Sequence, residues 1–204
     1  MAATQPTLTD SVFDPTRDED VDTLVRLYGD YLVEELERTG HMVPGMAVAG
    51  FLRTEILRMD GEPAGFVSAD LARYSVEVIY VSPGFRGMGA ATLVLANMVR
   101  TCPQPLALKA PLSPGGEALA ARLGLRVSEP TPEQARDVEE SVRDGERMMM
   151  LRCRHKRTGD PRKPCMRCYR PGVRRYADGL VRRYAAEVRA VRLLANSARP
   201  PGAR

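Results

Sequence analysis

A β-branched run that leads into a glycine-rich turn and then an apolar helix constrains this chain more than any other feature. The run is Ser75–Val81 (SVEVIYV), and Pro83 ends it because proline cannot donate to a sheet ladder. Gly87 and Gly89 lie in the turn, and residues 90–100 are apolar on nearly every side. A helix of that kind is typical of one buried against a sheet. The sequence therefore predicts an α/β fold built on this strand–turn–helix unit.

The segments on either side indicate an antiparallel meander followed by alternating strands and helices. Asp60-Gly61 is a hairpin-turn signal between two strand patterns. Gly124 is a natural residue to end the helix before it. The further predicted strands are Thr54–Met59, Ala64–Ala72, Leu106–Ala110, Leu125–Val127 and Met148–Cys153; the predicted helices begin at Asp18–Asp20 and cover Met46–Leu52, Pro114–Leu123 and, as a helix or polar loop, Pro132–Val142.

Charge is distributed unevenly along the chain. Residues 152–204 contain 16 Lys and Arg against three acids, whereas the first 151 residues contain 14 basic and 23 acidic groups. Regions of such different charge are expected to do different jobs, so we predict a main domain at 1–152 and a basic extension at 153–204. No stretch approaches the roughly 20 apolar residues that cross a bilayer, and the N-terminus lacks a secretory pattern. A cytoplasmic location is the default expectation.

The glycine-rich turn is a candidate anion site. Small residues let the backbone approach a ligand closely, and the first amides of the following helix have no partner within the helix. A diphosphate would suit these amides, and Arg86 could add a charge-assisted contact. A plain strand–turn–helix, with glycines present for packing, is the alternative. A dinucleotide-binding fingerprint is disfavoured because G-x-G-x-x-G is incomplete and the preceding strands form a meander.

The segment VSPGFRGMGAA, residues 81–91, resembles motif A of the GNAT superfamily of N-acetyltransferases. Arg86, Gly89 and Ala91 occupy the positions of the signature Arg/Gln-x-x-Gly-x-Gly/Ala. The order of elements also resembles the family over roughly residues 10–153. The resemblance implies a mixed, mostly antiparallel central sheet flanked by helices, to which this chain adds a small C-terminal zinc-knuckle and helix extension.

The resemblance also implies acetyl-CoA as cosubstrate and an amine, in a small molecule or a protein, as acceptor. Main-chain groups of the motif A strand would pair with pantetheine and hold the thioester carbonyl, and the turn would hold the diphosphate. The residues implied are Ile79, Tyr80, Val81, Arg86, Gly87, Met88, Gly89, Ala90, Ala91 and Thr92.

Glu77 is the candidate base that takes the proton of the acceptor amine. It is a carboxylate within an otherwise apolar strand, two residues from Ser75, where the family's frequent glutamate would fall. A solvent-facing strand residue is the alternative. The tyrosine that the family often uses as general acid falls at Ala120, and the usual asparagine is matched only by Ser113. These departures leave open a degenerate fold that binds acetyl-CoA without turnover.

Three of the four cysteines cluster with one of the two histidines. Cys153-x-His155-x₉-Cys165-x-x-Cys168 supplies two close ligand pairs, a spacing that suits a tetrahedral structural Zn²⁺. Free thiols or a Cys165–Cys168 redox pair are the alternatives. Cys102 is expected to be a small buried residue, and His41 has no assigned role.

The basic extension predicts an amphipathic helix at about 173–195, interrupted by Gly179. Apolar residues recur there at spacings of three and four, with arginines mainly off the stripe. The stripe is expected to dock on the enzyme core or on a partner in a homodimer. The arginines could bind nucleic-acid phosphates, face solvent, or pair with the acidic domain.

Overall fold

The computed structural model describes residues 7–40, 52–133, 135, 136, 139, 140, 143, 155 and 165–197. The predicted helix at Met46–Leu52, the predicted strand at Met148–Cys153 and His41 lie wholly or almost wholly outside these residues. So do Cys153 and the predicted boundary at residue 152. The domain division therefore stays a prediction.

Within the described residues, six strands form one mixed sheet in chain order. They are β1 (Leu8–Val12), β2 (Arg53–Met59), β3 (Glu62–Asp70), β4 (Ser75–Val81), β5 (Ala107–Lys109) and β6 (Arg126–Ser128). Strands β1 to β4 pair antiparallel, whereas β4–β5 and β5–β6 pair parallel. The predicted mostly antiparallel sheet is confirmed. Asp60 and Gly61 connect β2 to β3 with positive φ values of 51° and 85°, which a two-residue hairpin turn requires.

Four labelled helices cover the two faces of the sheet. They are α1 (Asp18–Thr39), α2 (Ala90–Thr101), α3 (Pro114–Leu123) and α4 (Met166–Ser197). Three acids in the first turn of α1 face its free N–H groups, and Gly124 ends α3 in the left-handed conformation. The described residues between 132 and 143 are helical as well.

The core is divided by the sheet into two main clusters. On one face, α1 and α4 pack on side chains such as Ile56, Phe66 and Tyr80. On the other face, α2 and α3 pack on Leu57 and Val67. Neighbouring residues of β2 and of β3 thus point to opposite layers, as the two-residue period of a strand requires.

The amphipathic helix of the basic extension docks on α1, as the sequence analysis allowed. Its buried residues recur every four positions, so they form one continuous ridge. They are Tyr169, Val173, Ala177, Val181 and Ala185.

The predicted bounds of that helix, and its break at Gly179, were wrong. The helix begins at Met166 and continues through Pro171 and Gly179. An interior proline costs about 3 kcal/mol and a glycine about 1 kcal/mol. Buried ridge residues on both sides of each, Tyr169 and Val173 around Pro171 for example, outweigh that cost.

Candidate functional site

Strand β4 parts from its parallel neighbour after two residues. Ser75 pairs with Ala107 and Val76 with Leu108, and no further pair joins the two strands in the described part of the chain. The main chain of Ser82 points toward β3, because its N–H donates to the Ala64 carbonyl at 2.8 Å. Main-chain direction alternates along a strand. The polar groups of the odd-numbered residues at this end of β4, such as Val81, therefore point toward the open edge.

A glycine turn lies at the end of this open edge. Pro83–Phe85 forms one turn of 3₁₀ helix, and Gly87 and Gly89 follow with φ of 78° and 85°. A side chain rarely adopts these angles, so glycine is the residue that permits this turn. Gly89 precedes α2 and caps it without a side-chain hydrogen bond. The first amides of α2 therefore face outward, which is the arrangement that binds phosphates.

The side chain of Arg86 is held within the protein. Its Nη2 contacts both carboxylate oxygens of Glu34 on α1 at 2.7 Å, and its Nε donates to the Val81 carbonyl at 2.8 Å. The guanidinium also lies 5.9 Å from the centre of the Tyr80 ring. The Glu34 hydrogen bond raises the pKa of Arg86 above its ordinary value. Arg86 thus fastens the turn to α1, and the main chain is left as the anion-binding part of the motif.

Glu77 is the extra residue of a β-bulge. Val76 pairs with Ala69 and Val78 with Ser68, so Glu77 has no partner of its own in β3. Val76 packs toward α2 and α3, whereas Val78 packs toward α1. A bulge changes the direction of the strand and re-aims side chains near it.

The bulge opens into a cleft where β4 separates from the carboxyl end of β5. Its unfilled volume, mouth included, is about 510 Å³. The Glu77 side chain, 5% exposed, forms an ion pair with Lys109 across the cleft at 2.5 Å. A second pair, Glu35 with Arg38, lines the α1 side. Crevices at this end of parallel strands are the usual ligand sites of open α/β sheets.

Tyr31 lines the same cleft. Its ring stacks on Tyr28 and meets Phe66 and Tyr80 edge-on, with ring centres 5.9 to 6.1 Å apart. Burial raises the pKa of this phenol well above its ordinary value of 10.0, and the Glu35 carboxylate adds to that increase. At neutral pH the hydroxyl therefore keeps its proton and can donate it in a hydrogen bond.

The position where the family tyrosine would fall supplies no hydroxyl. Ala120 is buried among the side chains of the α2 and α3 layer. Ser113 lines the cleft, but its Oγ accepts the Gly116 N–H at 3.2 Å and caps α3. The sequence analysis identified neither Tyr31 nor Lys109 as a site residue. The only sequence signal for these two residues is that each carries a polar group beside the apolar residues of a helix or strand.

Three of the four predicted metal ligands lie together. The ligand atoms of His155, Cys165 and Cys168 are all within 4.8 Å of one another, and His155 Nδ1 is 3.1 Å from Cys168 Sγ. Cys153 is not among the described residues. Cys102 lies at the end of α2, half-buried beside the second core cluster.

The arginines of α4 pair with acids of α1 and of the turn before it. As the arginine number rises from 170 to 192, the number of its partner falls from 37 to 14, so the two helices run antiparallel. This set of pairs supports docking on the acidic domain and lends no support to nucleic-acid binding. We call it the arginine ladder; it consists of Arg170–Glu37, Arg174–Asp30, Arg182–Asp22, Arg189–Asp18 and Arg192–Asp14.

The structure combines an α/β fold, a cleft at the point where two parallel strands separate, and a glycine turn before α2, an arrangement typical of ligand sites. Residues 16–115 match the acetyltransferase (GNAT) family. These residues therefore form a GNAT acetyltransferase domain. The match does not extend over the C-terminal extension.

Several solved structures are similar to this chain. One is the ribosomal-protein-alanine N-acetyltransferase from Brucella melitensis biovar Abortus 2308, at 21% identity and a TM-score of 0.41, covering 57% of this chain and 90% of that one. A second is AAC(6')-Iy in complex with the bisubstrate analogue CoA-S-monomethyl-acetylneamine, at 17% identity and a TM-score of 0.32, covering 78% and 99%.

A third is the tandem GNAT protein from the clavulanic acid biosynthesis pathway, at 19% identity and a TM-score of 0.40, covering 58% of this chain and 43% of that one. No curated protein sequence matches the chain. Because all three TM-scores are below 0.5, we base no functional conclusion on these structures. In the described part of the chain, no helix combines the length and the apolar character that a membrane span needs.

Proposed function

We propose that this protein transfers an acetyl group from acetyl-CoA to an amine. The observation that carries the proposal is the open edge of β4, which leads directly into the glycine turn before α2. Amides of residues 87–92 hold the diphosphate. The main chain of Ile79 and the N–H of Val81, which face the open edge, pair with the pantetheine arm, whereas the main chain of Tyr80 between them faces β3. An amide N–H at this edge also stabilises the negative charge that develops on the thioester oxygen.

The amine attacks the thioester carbonyl, the C–N bond forms, and the C–S bond breaks to release CoA thiolate. A lysine-like amine with a pKa near 10.4 must first lose a proton, at a cost of about 4.6 kcal/mol at pH 7. Glu77 accepts that proton directly or through a water, because its carboxylate lies in the cleft at the splayed end of β4.

Tyr31 donates a hydrogen bond that stabilises the departing thiolate, which takes its proton from water. Ala120 has no group for this role, whereas Tyr31 lines the cleft and retains its proton at neutral pH. A thiolate is a tolerable leaving group, so this step assists the reaction without being indispensable to it.

Binding is tested with the intact chain, by calorimetry with acetyl-CoA. Gly89→Ala adds a methyl group in the turn and strains its φ of 85°, so we expect the Kd for acetyl-CoA to rise about tenfold, or roughly 1.4 kcal/mol. Gly61→Ala is the matched control, since Gly61 has the same φ, equally open surroundings, and a place in the remote β2–β3 turn. Equal loss of binding in both variants would contradict the assignment of the turn.

Turnover is tested by the release of free CoA thiol with a panel of amines: aminoglycosides, polyamines, free amino acids and peptides. Glu77→Gln should lower kcat/KM by about 10²- to 10⁴-fold while the Kd for acetyl-CoA is unchanged. Glu117→Gln, an exposed glutamate of α3, should change neither quantity. Tight acetyl-CoA binding without turnover across the panel would overturn the enzymatic proposal and favour a degenerate acetyl-CoA-binding fold.

A further inference from the structure

We propose that His155, Cys165 and Cys168 bind a structural Zn²⁺ that ties the chain at His155 to the first turn of α4. The proposal is independent of the catalytic one, since it concerns residues that do not line the cleft. Cys153 is the fourth ligand predicted from the sequence, but it lies outside the described residues and the proposal does not depend on it.

The geometry of the three ligands suits zinc. Tetrahedral Zn²⁺, with Zn–S near 2.3 Å and Zn–N near 2.0 Å, holds its ligand atoms roughly 3.5 to 3.8 Å apart. Here His155 Nδ1 lies 3.1 Å from Cys168 Sγ, and no two of the three ligand atoms are more than 4.8 Å apart. Shifts of less than about 1 Å therefore bring all three atoms onto one ion, within reach of ordinary side-chain rotation.

The chemistry of the donors favours the same ion. Two thiolates and an imidazole form a soft set that selects zinc over calcium or magnesium, which prefer oxygen ligands. No disulfide joins Cys165 to Cys168 in the structure. Thiolates are also favoured at the start of a helix, where the dipole and free N–H groups stabilise negative charge.

The local backbone already arranges the two thiols. Cys165 directly precedes α4, and its carbonyl accepts the N–H groups of Cys168 and Tyr169, both at 2.9 Å. The two cysteines thus share one turn, and His155 approaches them from ten residues earlier in the chain.

The position of the site indicates what the metal does. Cys168 packs partly against the core cluster on α1, and the next residue, Tyr169, is the first buried member of the α4 ridge. An ion bound here links the incoming chain at His155 to the start of that ridge. It thereby offsets the weakness that Pro171 introduces two residues later.

The test measures zinc in the intact purified chain by elemental analysis and follows thermal unfolding with and without a chelator. We expect about one zinc per chain, an unfolding midpoint that falls by several degrees on chelation, and recovery when Zn²⁺ is added. Cobalt substitution should give thiolate-to-cobalt charge-transfer absorption and tetrahedral d–d bands, a readout that needs no variant.

The variants His155→Gln, Cys165→Ser and Cys168→Ser should each lose most of the zinc. Cys102→Ser and His41→Gln, the matched cysteine and histidine controls, should retain it. Folded wild-type protein that neither contains nor takes up zinc would overturn the proposal. So would a Cys165–Cys168 disulfide in the native protein, or zinc that remains in all three ligand variants. None of these outcomes depends on whether the chain acetylates an amine.

Discussion

At the scale of a single residue, tertiary contacts can give a core side chain a second role, as they do for Tyr31. By spacing it belongs to the apolar stripe of α1, and its ring does pack against Phe66 and Tyr80. Tyr31 nevertheless also lines the cleft, together with Glu77 and Lys109. A buried phenol there is a hydrogen-bond donor that remains neutral over the whole physiological pH range.

The raised pKa of Tyr31 makes a prediction about stability. Burial favours the neutral phenol in the folded chain. The stabilisation that the neutral phenol contributes to the free energy of unfolding is therefore complete below pH 10 and is lost as the pH rises above 10. Tyr31→Phe keeps the ring and removes the titration. We therefore expect its free energy of unfolding to decline less steeply above pH 10 than that of the wild type.

Urea unfolding between pH 8 and 11 measures both slopes, and equal slopes would contradict the prediction. Tyr31→Phe should also lower kcat more than it changes KM, if the hydroxyl acts on the leaving thiolate. An unchanged kcat would remove Tyr31 from the mechanism while leaving the stability prediction intact.

At the scale of elements, one glycine in the sheet leaves no room for a side chain, whereas one glycine in a helix has room for a methyl group. Gly65 in β3 faces β4 so closely that an added Cβ would lie 2.1 Å from the Tyr80 carbonyl oxygen. Gly29 in α1 faces α4, where an added Cβ would meet Arg174 and Ala177 at 3.8 to 3.9 Å, an ordinary contact distance. The same substitution should therefore have opposite effects at these two positions.

Gly29→Ala should stabilise the protein by about 0.5–1 kcal/mol, because alanine is the better helix former and the space accommodates it. Gly65→Ala should destabilise it by several kcal/mol or prevent folding, since backbone must shift to relieve the clash. Chemical unfolding of the two variants beside the wild type measures both effects. A destabilised Gly29→Ala would mean that α1 and α4 lie closer together than described.

At the scale of the whole molecule, α4 is held by two kinds of contact with different consequences. Fully burying an apolar side chain of the ridge such as Val181 contributes about 1.5–3 kcal/mol, whereas an exposed ion pair contributes about 0–1 kcal/mol. The ridge therefore supplies most of the stability. The arginine ladder selects the antiparallel direction and the register of α4 on α1, because sliding or reversing the helix would separate every pair.

Reversal of one ladder pair tests this division. Arg174→Glu places a carboxylate next to Asp30 and should lower the free energy of unfolding by roughly 1 kcal/mol. Adding Asp30→Arg should restore most of that loss, and salt should weaken both effects. Arg175→Glu, on the exposed neighbour, is the control and should change stability little.

A double-mutant cycle from urea unfolding gives the coupling energy directly. A coupling of zero at low salt would show that α4 is positioned by its apolar ridge alone. The same variants, assayed for binding to duplex and single-stranded nucleic acid, would also detect any role for arginines outside the ladder.

Much of the fold could be predicted from local sequence. Strand β4, helix α3 and the Asp60-Gly61 turn match their predicted positions, since β-branched runs, helical spacing and hairpin-turn residues act within a few residues of one another. The turn around Gly89 was identified for the same reason: its conformation depends on glycine itself. The cleft was predicted only in part, through Glu77, because its other walls come from α1 and β5.

The sequence by itself determined the α/β class, the strand–turn–helix unit with its free amides, and the grouping of His155 with Cys165 and Cys168. Only the tertiary structure decided that α4 runs unbroken past Pro171 and Gly179, that its arginines meet acids about 130 to 180 residues away, and that Tyr31 reaches the cleft. Local preferences are set by dihedral angles and side-chain shape, which neighbouring residues reveal. The free energy gained when distant segments bury apolar surface against each other exceeds these local preferences by several kcal/mol. That free energy is gained only when the segments pack together.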